Sequence, residues 1–234
     1  KVQKDPTQES IKFILELFNS SKFIEAKKEI DKQILIHPNS SILYNILGAI
    51  SASQNQLDKA VKNYKKAIKI NPNYAQAHNN LGIALHKLDK INEAIDCYKN
   101  ALRIKTDFAE VFNNIGNAIC DLYKPEDALQ YFEKAIQVKS DYAEAYYSLG
   151  IAYQDLGKKE GALHNFQQAV KIKPNFAEVY NNIGMIFSDL MRFDESEASY
   201  NKAIKLKPNH EKAYNNLGNL LNDLVKYGEA TAAY

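Results

Sequence analysis

The chain has 234 residues, 45% of them hydrophobic and 25% charged, and its formal net charge at pH 7 is +2. Basic and acidic residues are interspersed, which excludes the concentrated basic surface that nucleic-acid binding requires. No apolar run is long enough to cross a membrane. Cys97 and Cys120 lack the spacing of a redox or zinc motif, so the sequence predicts a protein of a reducing compartment, cytoplasmic or nuclear.

Glycine recurs every 34 residues over most of the chain, at Gly48, Gly82, Gly116, Gly150, Gly184 and Gly218. A ring residue, aromatic or His, lies four residues before each of these glycines, and an alanine or serine lies twelve residues after it. A second ring follows sixteen residues after each glycine. A period of this length indicates an array of helix–turn–helix units, each of which packs against its neighbours.

The repeat bounds follow from the glycine, which we number as position 8 of each repeat. One undivided array over 1–234 is then predicted, with repeats at 7–40, 41–74, 75–108, 109–142, 143–176, 177–210 and a truncated 211–234. The first repeat is degenerate because Ile14 replaces the glycine, although Ala26 keeps the phase. The chain starts without Met and stops inside a predicted helix, so we expect both ends to lie within a longer protein.

The first helix of each repeat carries a predicted buried stripe at positions 4, 7, 8 and 11, for example Tyr180, Ile183, Gly184 and Phe187. Glycine inside a helix costs about 1 kcal/mol relative to alanine, so it needs a compensating contact. We expect the second helix to approach so closely that a Cβ atom would block it. The rings at position 24 are expected to fill the space toward the next repeat.

The residues between repeats predict how each first helix begins. An Asx residue is followed three residues later by Glu, which is typical of a capping box. The predicted pairs are Asp107 with Glu110, Asp141 with Glu144 and Asn175 with Glu178.

The phased glycines, alanines and rings resemble the tetratricopeptide repeat family. The resemblance implies an all-α fold, a right-handed superhelical solenoid of antiparallel helix–turn–helix repeats. In that family the first helices line a concave groove with positions 2, 5, 6, 9, 12 and 13. The resemblance therefore implies a peptide-binding groove in this chain, which we assign to Asn79, Asn80, Asn113, Asn114, Asn117, Asp121, Tyr147, Ser148, Asp155, Asn181, Asn182, Asp189, Asn215, Asn216, Asn219 and Asp223.

Asparagine dominates positions 5 and 6, although it is a poor helix former. An amide offers both a donor and an acceptor, so a row of amides can bind a peptide backbone with little regard to its sequence. Two other interpretations remain open: the position-6 amides tie adjacent repeats together, or the face is simply solvated. Tyr147 and Ser148 interrupt the row in the fifth repeat.

Position 13 is Asp in each of the last four repeats, and position 2 is Glu in three of them. These residues are Asp121, Asp155, Asp189, Asp223, Glu110, Glu144 and Glu178. They predict an acidic C-terminal half of the groove and a ligand that is neutral or basic there.

The asparagine-rich phrases, such as Asn79-Asn80-Leu81-Gly82, resemble the repeats of O-linked N-acetylglucosamine transferases, whose superhelix presents polypeptide substrates to a separate catalytic domain. The carboxylate clamp of heat-shock co-chaperones needs Lys or Arg at positions 5 and 9, where this chain has residues such as Asn79 and Ile83. No catalytic, metal or cofactor motif is present in the sequence.

The predicted function is a non-catalytic protein–protein interaction scaffold that binds an extended segment in the groove. Two alternatives stay open: a substrate-recognition arm of a larger enzyme of the glycosyltransferase type, and a structural element that associates with itself through its groove or its exposed repeat ends.

Overall fold

The structure, a computed structural model, describes residues 5–232, with side chains as far as residue 225. This part of the chain forms thirteen α-helices and no strand. The predicted all-α architecture of paired helices is thereby confirmed. The helices are α1 (Gln8–Asn19), α2 (Phe23–Ile36), α3 (Ser41–Ser53), α4 (Leu57–Ile70), α5 (Ala75–Lys87), α6 (Ile91–Ile104), α7 (Ala109–Cys120), α8 (Pro125–Val138), α9 (Ala143–Asp155), α10 (Lys159–Ile172), α11 (Ala177–Asp189), α12 (Phe193–Leu206) and α13 (Glu211–Ala232).

The chain forms two compact units, Lys1–Leu122 and Tyr123–Tyr234. The single array over 1–234 stays a prediction. In the first unit, α3 packs on α4 and α5 packs on α6. In the second, α9 packs on α10 and α11 packs on α12. Each of these pairs is the two-helix unit of one repeat, and each first helix also contacts the second helix of the repeat before it.

The turn inside each helix pair contains one residue with a left-handed backbone. These residues are Ser21, Asn55, Asp89, Tyr123, Gly157 and Met191, with φ between 56° and 68°. They are spaced 34 residues apart, at repeat position 15, and the first of them shows that the degenerate repeat shares the turn geometry of the others. The residue types at position 15 vary so widely that this turn residue could not be predicted from the sequence.

The seventh repeat departs from this geometry. Position 15 there is Val225, and α13 continues through it as one helix over Glu211–Ala232. A β-branched residue such as Val strongly disfavours positive φ, because its Cβ substituents clash with the backbone. The predicted helix pair in 211–234 is therefore absent from the described part of this repeat, and the predicted second-helix residues Ala230 and Tyr234 lie outside the described side chains.

The glycine at position 8 faces the ring sixteen residues later in the same repeat. A Cβ atom on Gly184 would lie 2.6 Å from ring carbons of Tyr200, and Gly48, Gly82 and Gly150 face their rings in the same way. The close approach predicted for the glycine is thus confirmed. The position-24 ring also packs toward the next repeat, since Phe166 shares one hydrophobic cluster with Val179 and Ile183 of the sixth repeat.

The first repeat solves the same packing problem with two aliphatic side chains. Ile14 stands at position 8 and Ile30, sixteen residues later, stands where the other repeats have a ring. Both are completely buried, together with Ala26, in one hydrophobic cluster. A bulkier position 8 is tolerated because its partner is smaller, so the total volume at the contact is kept.

The predicted capping boxes are wrong. The N-cap residues of α7, α9 and α11 are Phe108, Tyr142 and Phe176, one residue after the Asx, and none makes a side-chain capping bond. A lysine lies over each ring, for example Lys173 at 4.3 Å from the centroid of Phe176. Packing of the ring fixes where the helix begins, and the glutamates are left for other partners.

We predict that Gly184→Ala destabilises the protein by about 1–3 kcal/mol, because overpacking against Tyr200 outweighs the helix propensity that alanine gains. Urea unfolding followed by circular dichroism measures the change. In a double-mutant cycle with Tyr200→Leu, which shortens the side chain at the contact, the double variant should be less destabilised than the sum of the single variants. Additive effects would contradict a direct Gly–ring contact.

Candidate functional site

The amide side chains at position 5 are buried in the repeats that carry them, except the last. Asn45, Asn79, Asn113 and Asn181 are 0–8% exposed, whereas Asn215 in α13 is exposed. A buried amide needs hydrogen-bond partners, because an unsatisfied one costs about 1–3 kcal/mol. These side chains therefore lie beneath the surface of the predicted groove.

The position-6 amides supply the partners. In three cases the Nδ2 of a position-6 asparagine donates a 3.0 Å hydrogen bond to the Oδ1 of the position-5 asparagine in the preceding repeat. The pairs are Asn80 with Asn45, Asn114 with Asn79, and Asn216 with Asn181. Each bond joins residues 35 apart, so the amides tie first helices of adjacent repeats together.

In Asn79 both the oxygen and the nitrogen of the side-chain amide are hydrogen-bonded. Its side chain is fully buried, its Oδ1 accepts from Asn114, and its Nδ2 donates to Glu110 Oε1 at 3.1 Å. Because the side chain is fully buried, a ligand could reach Asn79 only by displacing its neighbours. The interrepeat interpretation thus accounts for this part of the row, and its role in ligand binding stays a prediction.

The fifth repeat breaks the row with an aromatic residue. Tyr147 stands at position 5, and its ring packs at 5.1 Å from the centroid of Phe176 and 6.0 Å from that of Phe166. Burial raises the pKa of the Tyr147 hydroxyl, so the phenol stays neutral at physiological pH. The site therefore offers a half-buried ring where the other repeats offer an amide.

Asn182, at position 6 of the next repeat, consequently has no amide partner in the repeat before it. Its Oδ1 accepts a 3.4 Å bond from Asn181 in the same helix. No hydrogen bond from its Nδ2 is present among the described residues, and the side chain is half-buried. Asn182 thus keeps two N–H donors for another molecule.

Among the described residues, Asn113 lacks a donor to its side-chain oxygen, whereas Asn182 lacks an acceptor for its Nδ2. The Oδ1 of Asn113 is buried without a hydrogen bond to any described residue. The residue 35 positions further along the sequence is Ser148, which has no amide to donate. The two residues that interrupt the row, Tyr147 and Ser148, thus coincide in sequence spacing with the two amides that lack the usual bond.

Most acidic residues predicted for the groove are paired. Glu144 accepts from Lys173 and Glu178 accepts from Lys207, each at 2.9 Å, and these bonds lower the pKa of both carboxyls. Lys159 lies 3.6 Å from Asp189. These lysines neutralise much of the negative charge that the sequence placed there.

The remaining position-13 carboxylates differ from one another. Asp121 lies 2.6 Å from His86 Nε2, which joins the third and fourth repeats. Asp155 and Asp223 have no ion pair among the described residues, and burial raises the pKa of Asp155. The groove of the second unit therefore carries little net charge apart from Asp155 and Asp223.

Metal binding and membrane insertion are two further functions on which the structure bears. Within residues 5–232, no group of three or more His, Cys, Asp or Glu side chains is placed to hold a metal ion. None of the helices described combines the length and apolarity needed to span a bilayer.

Comparison with known families agrees with the geometry. Models described as tetratricopeptide repeat match residues 75–108, 143–176 and 177–210 and residues 108–139, and one described as TPR repeat matches 48–89 and 124–157. Together they cover residues 48–210 without a gap. The chain belongs to the tetratricopeptide repeat family. Proteins of this family are generally non-catalytic scaffolds, and this chain is a protein-interaction scaffold of the tetratricopeptide repeat type. No curated protein matches the chain by sequence.

Solved structures show the same fold. MamA is 27% identical, with a TM-score of 0.60, over 74% of this chain and 94% of that one. YrrB, described as a TPR protein with an unusual peptide-binding site, is 24% identical, with a TM-score of 0.59, over 80% and 96% of the two chains. A chain of the Cut9–Hcn1 complex is 17% identical, with a TM-score of 0.81, over 91% of this chain and 42% of that one.

We predict that Asn114→Ala destabilises the protein by about 1–3 kcal/mol relative to Asn182→Ala, because only the first variant leaves a buried acceptor, Asn79 Oδ1, without its donor. Both substitutions gain the same helix propensity, and Asn182→Ala removes only the 3.4 Å bond from Asn181, whose Nδ2 keeps its contact with Met185 Sδ, so the difference reports mainly the interrepeat bond. Urea midpoints at a fixed protein concentration measure it. Equal midpoints would show that the bond contributes nothing to stability.

A pH dependence follows from Glu144. Its folded pKa lies below the ordinary value of 4.5, so the stability it contributes is present above that pH and is lost as the pH falls through the folded pKa. Glu144→Gln should cost less than about 1 kcal/mol at pH 7, as expected for a partly exposed pair, and this cost should vanish as the pH falls through the folded pKa. Glu160→Gln, on the exposed side of α10, is the control and should show no such difference. A Glu144→Gln effect that persists in acid would contradict this assignment.

Proposed function

We propose that the chain is a non-catalytic scaffold that binds an extended peptide segment along the first helices of the fifth and sixth repeats, α9 and α11. The observation that carries the proposal is the Asn182 amide, whose Nδ2 is free of the interrepeat bond made by the other position-6 asparagines. A binding group must be available without disrupting the fold, and Asn182 meets this condition.

The surroundings of Asn182 suit a peptide. Its N–H donors fit a backbone carbonyl, which every residue of an extended segment offers. Tyr147, one repeat earlier, supplies a ring for an apolar side chain, and Ile151 and Met185 at position 9 are half-buried. The Nδ2 of Asn181 lies 3.7 Å from Met185 Sδ and so holds the flexible thioether next to Asn182.

Affinity must come mainly from the apolar contacts. A single hydrogen bond contributes about 0.5–1.5 kcal/mol, whereas micromolar binding requires about 8 kcal/mol. The Asn182 bond therefore sets the register of the segment, and side-chain burial on Tyr147, Ile151 and Met185 supplies most of the free energy.

The charge of the ligand follows from the ion pairs. With Glu144, Glu178 and Asp189 bonded to lysines, Asp155 is the acidic group of α9 and α11 that lacks an ion pair among the described residues. We therefore propose a segment that is largely neutral, with one basic residue near Asp155. Its encounter rate should fall only weakly with salt.

YrrB, similar in fold, is described as having a peptide-binding site, which supports the ligand class without identifying a ligand for this chain. The alternative role, as the substrate-recognition arm of a glycosyltransferase-like enzyme, would use the same peptide groove and leave catalysis to another domain. Self-association is a further candidate, favoured by an uncovered apolar face on α13. We place the scaffold in the cytoplasm or the nucleus.

The test is a selection from a random library of peptides about 12 residues long, which span about 40 Å when extended. Asn182→Ala should weaken binding of the best selected peptide about three- to tenfold, measured by fluorescence polarisation, without lowering the melting temperature. Tyr147→Ala should weaken it more, because an apolar contact is lost.

Gln167→Ala, on an exposed position of α10, is the matched control and should leave the affinity unchanged. Selected peptides that bind Asn182→Ala and Tyr147→Ala as tightly as the wild type would place the binding surface elsewhere and overturn the proposal.

A further inference from the structure

The outward face of α4 is basic along its whole length. Five of the 14 residues in this helix are lysines, and all five are exposed: Lys59, Lys62, Lys65, Lys66 and Lys69. With 3.6 residues per turn, they lie within an arc of about 120° on the helix surface, opposite the buried Ala60, Tyr64 and Ala67. The only acidic residue of the helix is Asp58 in its first turn. These five side chains form what we call the lysine strip.

The lysine strip is unfavourable to its own helix. Like charges three or four residues apart, such as Lys62 with Lys65 and with Lys66, destabilise a helix. None of the five lysines forms an ion pair with a described residue. The corresponding five positions of α2 and of α6 carry both signs of charge. The fold therefore gives no reason for a strip of one sign, whereas an acidic binding partner would.

Two helices with mixed charge lie next to α4. Ile34 of α2 shares a hydrophobic cluster with Ala67 of α4. On α6, burial raises the pKa of the Cys97 thiol to about 11, and the nearby charge of Lys65 opposes that rise. The acidic residues of these two helices are Glu25, Glu29, Asp31, Glu93 and Asp96. The uninterrupted positive charge is therefore confined to the width of one helix.

We propose that the lysine strip docks an acidic segment of a partner protein. Lys59 and Lys69 are ten residues apart, so the strip is about 15 Å long. A single acidic segment can follow a strip of this shape and place its carboxylates against the lysines without approaching the acidic residues of α2 and α6. The strip belongs to the first unit and is independent of the peptide site proposed on α9 and α11.

Two other kinds of polyanion fit the strip less well. An anionic membrane would be attractive to Ile24 and Leu35 of α2, which are 84% and 85% exposed, but Asp31 lies between them on the same helix face and would be repelled. A single-stranded nucleic acid needs exposed rings on which its bases stack, whereas Tyr64, the only aromatic residue of α4, is buried.

The test uses the full chain and a fluorescein-labelled peptide of about ten glutamates, which is about 15 Å long as a helix. Fluorescence anisotropy at about 50 mM salt should show binding, and the affinity should fall as salt is raised to about 200 mM. Lys62→Glu/Lys65→Glu should weaken binding at least about tenfold. Each new glutamate lies four residues before a lysine, Lys66 or Lys69, which favours the helix, so circular dichroism should be unchanged.

Lys171→Glu/Lys205→Glu is the matched control. It lowers the net charge by the same amount on exposed positions of α10 and α12, and it should change the affinity by less than about twofold. Vesicles of phosphatidylserine and a single-stranded oligothymidylate should each bind the wild type less tightly than the glutamate peptide does.

Four outcomes would overturn the proposal. They are a wild type that does not bind the glutamate peptide, an affinity that is insensitive to salt, and equal weakening by the two double variants, which would show an effect of net charge alone. The fourth is tighter binding of vesicles or oligothymidylate that Lys62→Glu/Lys65→Glu abolishes, since the strip would then bind a membrane or a nucleic acid.

Discussion

The contact between a glycine and a ring in the same repeat is the constraint on which the rest of this fold depends. Where the position-24 ring lies over the position-8 glycine, as Tyr200 lies over Gly184, the two helices approach to a distance that no Cβ atom would permit. In the sixth repeat the small residue at position 20 is Ser196, and its Oγ donates a 2.8 Å hydrogen bond to the carbonyl of Gly184 on the opposite helix. Where this distance recurs, the first helices of adjacent repeats lie side by side, and amides 35 residues apart come into hydrogen-bonding range.

An asparagine amide that is bonded within the fold is not also available to a ligand through the same atom. If Asn114 turned from Asn79 to a ligand, the buried Oδ1 of Asn79 would lose its hydrogen bond. The free-energy cost of that unsatisfied acceptor would weaken binding. Binding is therefore cheapest where the row is interrupted. Tyr147 removes an acceptor, and the amide of Asn182 becomes available without loss of any interrepeat bond. In the proposed function, the departure from the repeat, not the repeat itself, specifies where a segment binds.

The sequence was sufficient for the features that recur in residue type and insufficient for those set by the backbone. The period, the helix pairs and the close approach at glycine could all be predicted, because each leaves a phased residue. The left-handed turn residue could not, since Asn55, Tyr123 and Met191 share a φ value but no chemistry. The capping boxes failed because the bulk of the ring, as at Phe176, outweighs a local hydrogen bond in fixing the helix start. The sequence allowed the position-6 amides to join adjacent repeats, but only the 3.0 Å distances in the structure favour that interpretation.

The same reasoning explains why the seventh repeat behaves differently from the six before it. Position 15 accepts Ser, Asp, Tyr and Met at positive φ, so neither polarity nor size is restricted there. A side chain branched at Cβ is disfavoured at this backbone conformation. Val225 meets every other demand of the position and violates this one, so the helix has no turn at which to reverse. As a result, α13 runs straight through position 15, whereas the chain turns at this position in each of the six earlier repeats. The backbone preference of a single residue thus distinguishes the helix geometry of the seventh repeat from that of the six before it.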